Sequence, residues 1–504
     1  MKEKISLSKF TLIISTLNFL LFHYGFFNFV FENIDTKSFN GILMIVSLLI
    51  LMVIANFFAF YLVLFLTRIV GKILLSITFL LSAISVFFIN TYSIIVDESM
   101  IGNVFNTNYE ESSSFFSFKL ILYILFMGIL PCIFIFKTKI EYPTVKQFFK
   151  TWGLSLLPIL LLVGINAQNV LWIDKNSKYL GGLAMPWAYS VNTALYFVHK
   201  AQENREEIPL PDAQILNNEK SVVVLVIGES ARSQNFSLYG YEKNTNPLLS
   251  QTEGVTHFPA TSCATYTTAG VKCILSHNDS GDLYEILPNY LDRTGVDVIW
   301  KSTNSGEPPV KIEKYFNGND LRKDCEGEDC GYDGILLKNL KEDILGSTKD
   351  KILIILHTST SHGPLYNTKY PIEFEKFSPV CTSVELGNCT PTELINAYDN
   401  TIVYTDYLLH KVISELQDLE GYKSSMIYIS DHGESLGEKN LYMHGLPMSI
   451  APKEQYEIPF IVWTNNGKTK TLKSANQGCI FHSVLDFLSI GSPVLEKELS
   501  VFGK

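Results

Sequence analysis

Positive charge is scarce in this chain. Lys and Arg total 40 against 50 Asp and Glu, a net charge of -10. Nothing basic enough to follow a phosphate backbone is present, which excludes nucleic acid as a partner. Internal repeats and low-complexity tracts are missing, so a solenoid or a compositional scaffold is excluded as well. None of the apolar runs is expected to be a cleaved leader: the first has no small-residue cleavage site and further apolar runs follow it. Cysteine is sparse, eight in 504 residues, and its spacings do not repeat a ribbon or finger pattern. That disfavours a zinc-thiolate site.

Apolar residues, by contrast, crowd into the first 172 positions. Five stretches there are long enough to cross a bilayer, near 11–31, 41–66, 69–89, 118–136 and 152–172. Lys2, Lys4 and Lys9, then Arg68 and Lys72, then Lys137, Lys139, Lys146 and Lys150 mark the cytoplasmic ends. Asp97, Glu98, Glu110 and Glu111 mark an outward loop, with no basic residue until Lys119. An odd number of spans leaves everything after Trp172 outside, in the periplasm or on the outer face. Residues 173–216 form a bridge in which Trp187, Tyr189, Tyr196 and Phe197 are expected to anchor at the membrane interface. Its end, "EEIPLPD" over 206–212, reads as an extended linker.

Six cysteines fall in the outward part as three near pairs: Cys263 with Cys273, Cys325 with Cys330, and Cys381 with Cys389. Disulfides persist in that compartment. Six thiols allow many connectivities, so local pairing is a preference. Cys132 lies in a span and Cys479 stands alone.

From 221 onward, apolar runs predict buried strands: "SVVVLVIGES" (221–230), "KILIILHTSTSHG" (351–363), "SSMIYISDHGES" (424–435) and "EIPFIVW" (457–463). Near-continuous apolar strands indicate an α/β domain with a largely parallel sheet covered on both faces. Ligands gather at the carboxyl ends of such strands. Glu229, His357, His362, Asp431, His432 and Glu434 all fall there. Two carboxylates and an imidazole, Glu229, Asp431 and His432, suit zinc. A hydroxyl from "TSCATYTTAGVKC" (261–273), with its ends held by two cysteines, would complete the set and become a nucleophile. Each element also has a plain alternative, as a helix cap, a turn or a polar loop. Residue types and spacing alone reach a metal-dependent transferase or hydrolase.

Four segments carry more. "VIGESARSQNFSLYGYEKNTNPLL" (226–249), "SCATYTTAGVKC", "HTSTSHGP" (357–364) and "SDHGESLGEKNLYMHGLP" (430–447) resemble the bacterial phosphoethanolamine transferases. That family includes the lipid A modifying and mobile colistin-resistance enzymes, and the resemblance runs over nearly the whole chain. It implies a five-helix N-terminal membrane domain (1–172), an interfacial bridge and linker (173–216) and an α/β periplasmic catalytic domain of alkaline phosphatase/sulfatase type (217–504). It implies Glu229, Asp431, His432 and the nucleophile Thr267, rather than Thr268, as ligands of one tight Zn2+, with room for a second ion. Asn103, Thr107 and Glu111 of the outward loop match family substrate residues, as do Asn304, His362 and His444. The resemblance also supports the three disulfides. This chain departs from its relatives at Ala264 and Lys272 beside the bracketing cysteines, and at Pro308, where a substrate-contacting lysine is common; Lys311 could reach in instead.

The expected reaction moves phosphoethanolamine from phosphatidylethanolamine, through a phosphorylated Thr267, to lipid A or the lipooligosaccharide core. It lowers negative surface charge and so the attraction for polymyxin and other cationic peptides. The expected setting is the bacterial inner membrane, with a monomer among membrane lipids. The alternatives are a glycerol-phosphate transferase, a sulfatase-like hydrolase, or a non-enzymatic membrane adaptor that keeps an inactive fold.

Overall fold

The computed structural model describes residues 4–107, 109–203, 207–323, 325, 327–384, 386–466, 468–470, 472 and 475–503. Two compact units emerge: Met1–Gly102 with Phe116–His199, and Asn103–Phe115 with Lys200–Lys504.

The first unit is helical. It holds α1 (Leu7–Phe22), α2 (Tyr24–Asn33), α3 (Phe39–Thr67) and α4 (Ile69–Tyr92). After α5 (Glu98–Asn106) and α6 (Tyr109–Ser114) come α7 (Phe118–Lys137), α8 (Val145–Ile165), α9 (Val170–Leu183) and α10 (Trp187–Glu203). Among the described residues, four helices (α3, α4, α7 and α8) are long and apolar enough to cross a membrane, and α1 with α2 makes a fifth span if the bent pair counts as one. The expected straight span over 11–31 is instead broken at His23, with a bend of 64°. The last span also differs from expectation, running over Val145–Ile165 rather than 152–172. The cause is local: Thr144 and Gln147 form a reciprocal capping box that starts the helix ahead of the apolar run. Asn166, its C-cap, turns its side chain back onto the Leu162 carbonyl.

Packing between α3 and α8 is aromatic. Phe148 stacks on Phe65 at 3.9 Å, and Trp152 stacks on Phe58 at 4.6 Å. Polar side chains join helices where no water competes. Asn56 on α3 donates to Asn18 on α1 at 2.9 Å, and Trp187 Nε1 donates to Asn56 at 2.9 Å. Tyr189 donates to the Thr78 carbonyl at 3.0 Å. Trp187 and Tyr189 thus each join their polar atom to a neighbouring helix of the same unit.

The second unit is built on one eight-stranded sheet among the described residues. Its strands are β1 (Ser221–Gly228), β2 (Val255–Thr261), β3 (Asp297–Ser302), β4 (Lys314–Phe316), β5 (Lys351–His357), β6 (Lys423–Ser430), β7 (Glu457–Thr464) and β8 (Ala475–Asn476). They lie in the order β8-β2-β7-β6-β1-β5-β3-β4. Every residue of β1 is buried, which is why its sequence is apolar without alternation. Strands β6, β1, β5, β3 and β4 run parallel, and β7 runs antiparallel to both β6 and β2. The sheet is thus mixed rather than parallel throughout. Between Ser430 and Glu457 the chain forms only short turns and a small hairpin, with no crossover helix, so β7 must run back from the end where β6 stops. The core is the apolar face shared by Val223, Leu225, Ile227, Ile355, Ile427 and Phe460.

Candidate active site

Three parallel strands end side by side and each delivers part of the site. Glu229 follows β1, His357 closes β5 and leads to His362, and Asp431 and His432 follow β6. Thr267 comes from α11 (Thr267–Leu275), as its first residue. The helix N-terminus leaves backbone N–H groups free and favours negative charge there. Gly270 lets this helix approach, since a Cβ at that position would lie 2.3 Å from the Asp431 carbonyl oxygen. The Cys263–Cys273 disulfide closes the same segment; Cys325–Cys330 and Cys381–Cys389 are the other two.

The expected ligand side chains converge on His432 Nε2. Glu229 Oε1 and Asp431 Oδ2 each lie 3.4 Å from it. Thr267 Oγ1 is 3.3 Å from it and donates to Glu229 Oε2 at 3.3 Å. Donors about 2.0–2.1 Å from a tetrahedral ion stand about 3.3 Å apart, so these spacings fit one divalent cation. Asp431 Oδ2 is buried with no hydrogen-bond partner, an uncompensated acceptor of the kind a cation satisfies. His444 extends the group: it, Glu229 and His432 each offer a ligand atom within 4.8 Å of the others.

The electrostatics tell the same story. Burial pushes Asp431 up to about 7, and the Glu229 charge adds to the rise. His432 is raised to about 10: burial opposes this, but the adjoining Asp431 and Glu229 prevail. Glu229 is lowered well below the carboxylate range, because its bond to His432 and the charges of His432, His362 and His444 outweigh its burial. Two carboxylates packed this closely hold a positive charge between them.

Neighbouring residues fix this geometry. Ser230 adopts a positive φ of 52°, a conformation unusual for a residue with a Cβ. Its N–H donates to Asp431 at 3.1 Å and its hydroxyl to Glu229 at 2.7 Å, while Tyr398 donates to its carbonyl at 2.7 Å. His444 Nδ1 lies 2.7 Å from Glu434, which also accepts from Tyr366 at 2.8 Å. Burial, and after it the His432 charge, hold His444 below the ordinary histidine range. Buried Asp333 accepts from Thr303 at 2.5 Å and from the Ser359 N–H at 2.7 Å, tying the loop after β3 to the loop after β5.

The second unit matches the family description "Sulfatase" over residues 221–490, and residues 52–201 match "Phosphoethanolamine transferase EptA/EptB". The chain is 42% identical to phosphoethanolamine transferase EptA of Helicobacter pylori, over 96% of this chain and 93% of that one. It is 33% identical to EptA of Escherichia coli, over 80% and 77%. It superposes on the integral membrane lipooligosaccharide phosphoethanolamine transferase A of Neisseria meningitidis with a TM-score of 0.89 and 26% identity, covering 99% of both chains.

The chain belongs to the phosphoethanolamine transferase family. Like other phosphoethanolamine transferases it joins apolar membrane helices to a sulfatase-type domain.

The residues expected to meet substrate in this transferase separate into groups. His362 and His444 stand together, with ring centroids 5.6 Å apart. Asn103 lies beside Gly445, where a Cβ would be 3.9 Å from Asn103 Nδ2. Thr107 instead folds back, its hydroxyl donating to the Asn103 carbonyl at 2.8 Å. The side chain of Glu111 lies outside the described residues. Asn304 donates to Glu229 Oε2 at 2.6 Å and to the Thr358 carbonyl at 2.9 Å, so it holds the Glu229 side chain in place. Lys311, the candidate to replace the lysine missing at Pro308, pairs its ammonium with Glu207.

Proposed function

We propose that this chain transfers phosphoethanolamine from phosphatidylethanolamine to lipid A or the lipooligosaccharide core through a covalent intermediate on Thr267, with zinc held by Glu229, Thr267, Asp431 and His432. The observation that carries this reading is the place of Thr267 Oγ1, 3.3 Å from both Glu229 and His432. Residues 1–172 span the inner membrane, 173–216 form the bridge, and 217–504 catalyse in the periplasm. The named substrates of relatives support a lipid A acceptor, as for the Kdo(2)-lipid A phosphoethanolamine 7''-transferase of Escherichia coli, 27% identical over 82% of this chain.

A bound zinc ion supplies positive charge that lowers the pKa of the hydroxyl and offsets charge on the phosphoryl oxygens. The chain's own groups do the rest. Glu229 Oε2 accepts the Thr267 hydroxyl hydrogen, aligning the oxygen. That oxygen forms a bond to the donor phosphorus and gives up its proton; the bond from phosphorus to the diacylglycerol oxygen breaks, and diacylglycerol leaves with a proton. In the second half an acceptor oxygen displaces Thr267, which regains its proton. His444 Nε2 and the neighbouring His362 meet the transferring group. Asn103, Thr107 and Glu111 receive the lipid substrates. The added amine lowers net negative surface charge and weakens attraction for polymyxin and other cationic peptides.

Intact-mass measurement tests the intermediate. Donor-treated protein gains one phosphoethanolamine, and Thr267→Ala gains none. Addition of the group to Thr267→Ala would overturn the assignment.

A further inference from the structure

The loop after His444 carries an unexplained feature. Its residues Leu446–Ala451 form a compact turn, with the Ile450 and Ala451 N–H groups both donating to the Pro447 carbonyl at 2.9 Å. The tip of this turn is apolar and uncovered: Met448 is 43% exposed and Ile450 45%. Its base is not free. The Gly445 N–H donates to the Thr265 carbonyl at 2.8 Å, and Thr265 returns a bond from its hydroxyl to the Leu446 carbonyl at 2.5 Å. The turn is therefore clipped to the segment that carries Thr267, two residues on.

A second apolar pair stands on the neighbouring segment. Asn103, which approaches Gly445, is followed by Val104 and Phe105, 60% and 52% exposed. The chain itself says what is near them. The segment follows the membrane-spanning helix α4, which ends at Tyr92, and leads into the membrane-spanning helix α7, which starts at Phe118. Ser114 is four residues from that start, a reach of no more than about 14 Å. Exposed apolar side chains tethered on both sides to spanning helices face lipid more readily than water.

We propose that the Pro447–Ile450 tip is a bilayer-contacting wedge, with Met448 and Ile450 entering the acyl region beside Val104 and Phe105. The partner is the lipid surface, and the wedge presents the glycerol end of a membrane phospholipid to Thr267. This rests on the donor reading above. Clipping the tip to Thr265 couples seating on the bilayer to the position of the nucleophile segment.

Two measurements on the full-length protein, reconstituted in vesicles of phosphatidylethanolamine and phosphatidylglycerol, test the proposal. In Met448→Trp, the fluorescence added over wild type is quenched by bromine on the lipid acyl chains and shielded from aqueous iodide. Quenching by iodide and not by brominated lipid overturns the wedge. This arm needs no turnover, so it stands or falls apart from the transfer reaction. In Met448→Ser with Ile450→Ser, the KM for vesicle donor rises about three- to tenfold, while transfer from monomeric short-chain phosphatidylethanolamine is unchanged. Equal loss on both donors, or no loss on either, overturns the proposal.

Discussion

Replacing Asn304 with alanine separates two roles that its position allows. The amide donates to Glu229 Oε2 at 2.6 Å and to the Thr358 carbonyl at 2.9 Å, bridging the ends of β1 and β5. A hydrogen bond to a charged group contributes about 1.5–3 kcal/mol net. Losing it frees Glu229 to rotate and leaves a buried carboxylate oxygen with one partner fewer. If Glu229 is an ion ligand, that energy appears as an affinity about 10- to 150-fold weaker, in line with the cost of removing a group that orients a ligand. The assay is a chelator-competition titration of zinc on the full-length protein in detergent, with KM for the donor measured in parallel. The expected result is weaker ion binding with KM little changed once zinc is saturating. Unchanged ion affinity with a raised KM would refute the reasoning and return Asn304 to direct substrate contact.

Gly270→Ala places a Cβ against the Asp431 carbonyl oxygen, a backbone atom that cannot step aside; a shift of about 1 Å in Thr267 lowers kcat on the order of 100-fold, read in steady-state transfer. Opening the disulfide with Cys263→Ser and Cys273→Ser removes a closure spanning 10 residues, lowering stability by about 2–3 kcal/mol and the melting temperature with it. Buried Asp406 accepts from the Leu248 and Leu249 N–H groups, yet burial raises it from 3.8 to about 7. The folded state therefore binds this proton more tightly than the unfolded one. That contribution, on the order of 4 kcal/mol, is complete below about pH 4 and lost as pH rises through about 7. Asp406→Asn flattens the fall of melting temperature over that window, and an unaltered slope would show that Asp406 does not carry it.

Strand positions were legible because β1, β5 and β6 are buried on both faces and so need unbroken apolar sequence. The direction of β7 was not, because it depends on whether the intervening chain crosses the sheet. Span ends were less legible than span existence: a Thr-Gln cap moved α8 by seven residues, from 152 to 145. The partners of Trp187 and Tyr189, Asn56 and the Thr78 carbonyl, were not legible, because they lie on helices far away in sequence. Within the site, Glu229, Asp431 and His432 stood out as chemically capable residues, and the family resemblance singled out Thr267 among the hydroxyls of its segment. Ser230, Gly270 and Asp333 did not, since their importance lies in what other strands bring to them. Only the positive φ of Ser230 and the close approach at Gly270 reveal it.

The placement of Thr267 at the head of α11 leaves the protein without an understudy. An α-helix turns about 100° per residue, so the Thr268 Cβ leaves the helix in a different direction from that of Thr267. Thr265 is committed to the Leu446 carbonyl. On the proposed chemistry this hydroxyl-rich segment offers no redundancy, and a one-residue insertion or deletion between Cys263 and Thr267 is expected to cost activity as surely as removing the hydroxyl itself.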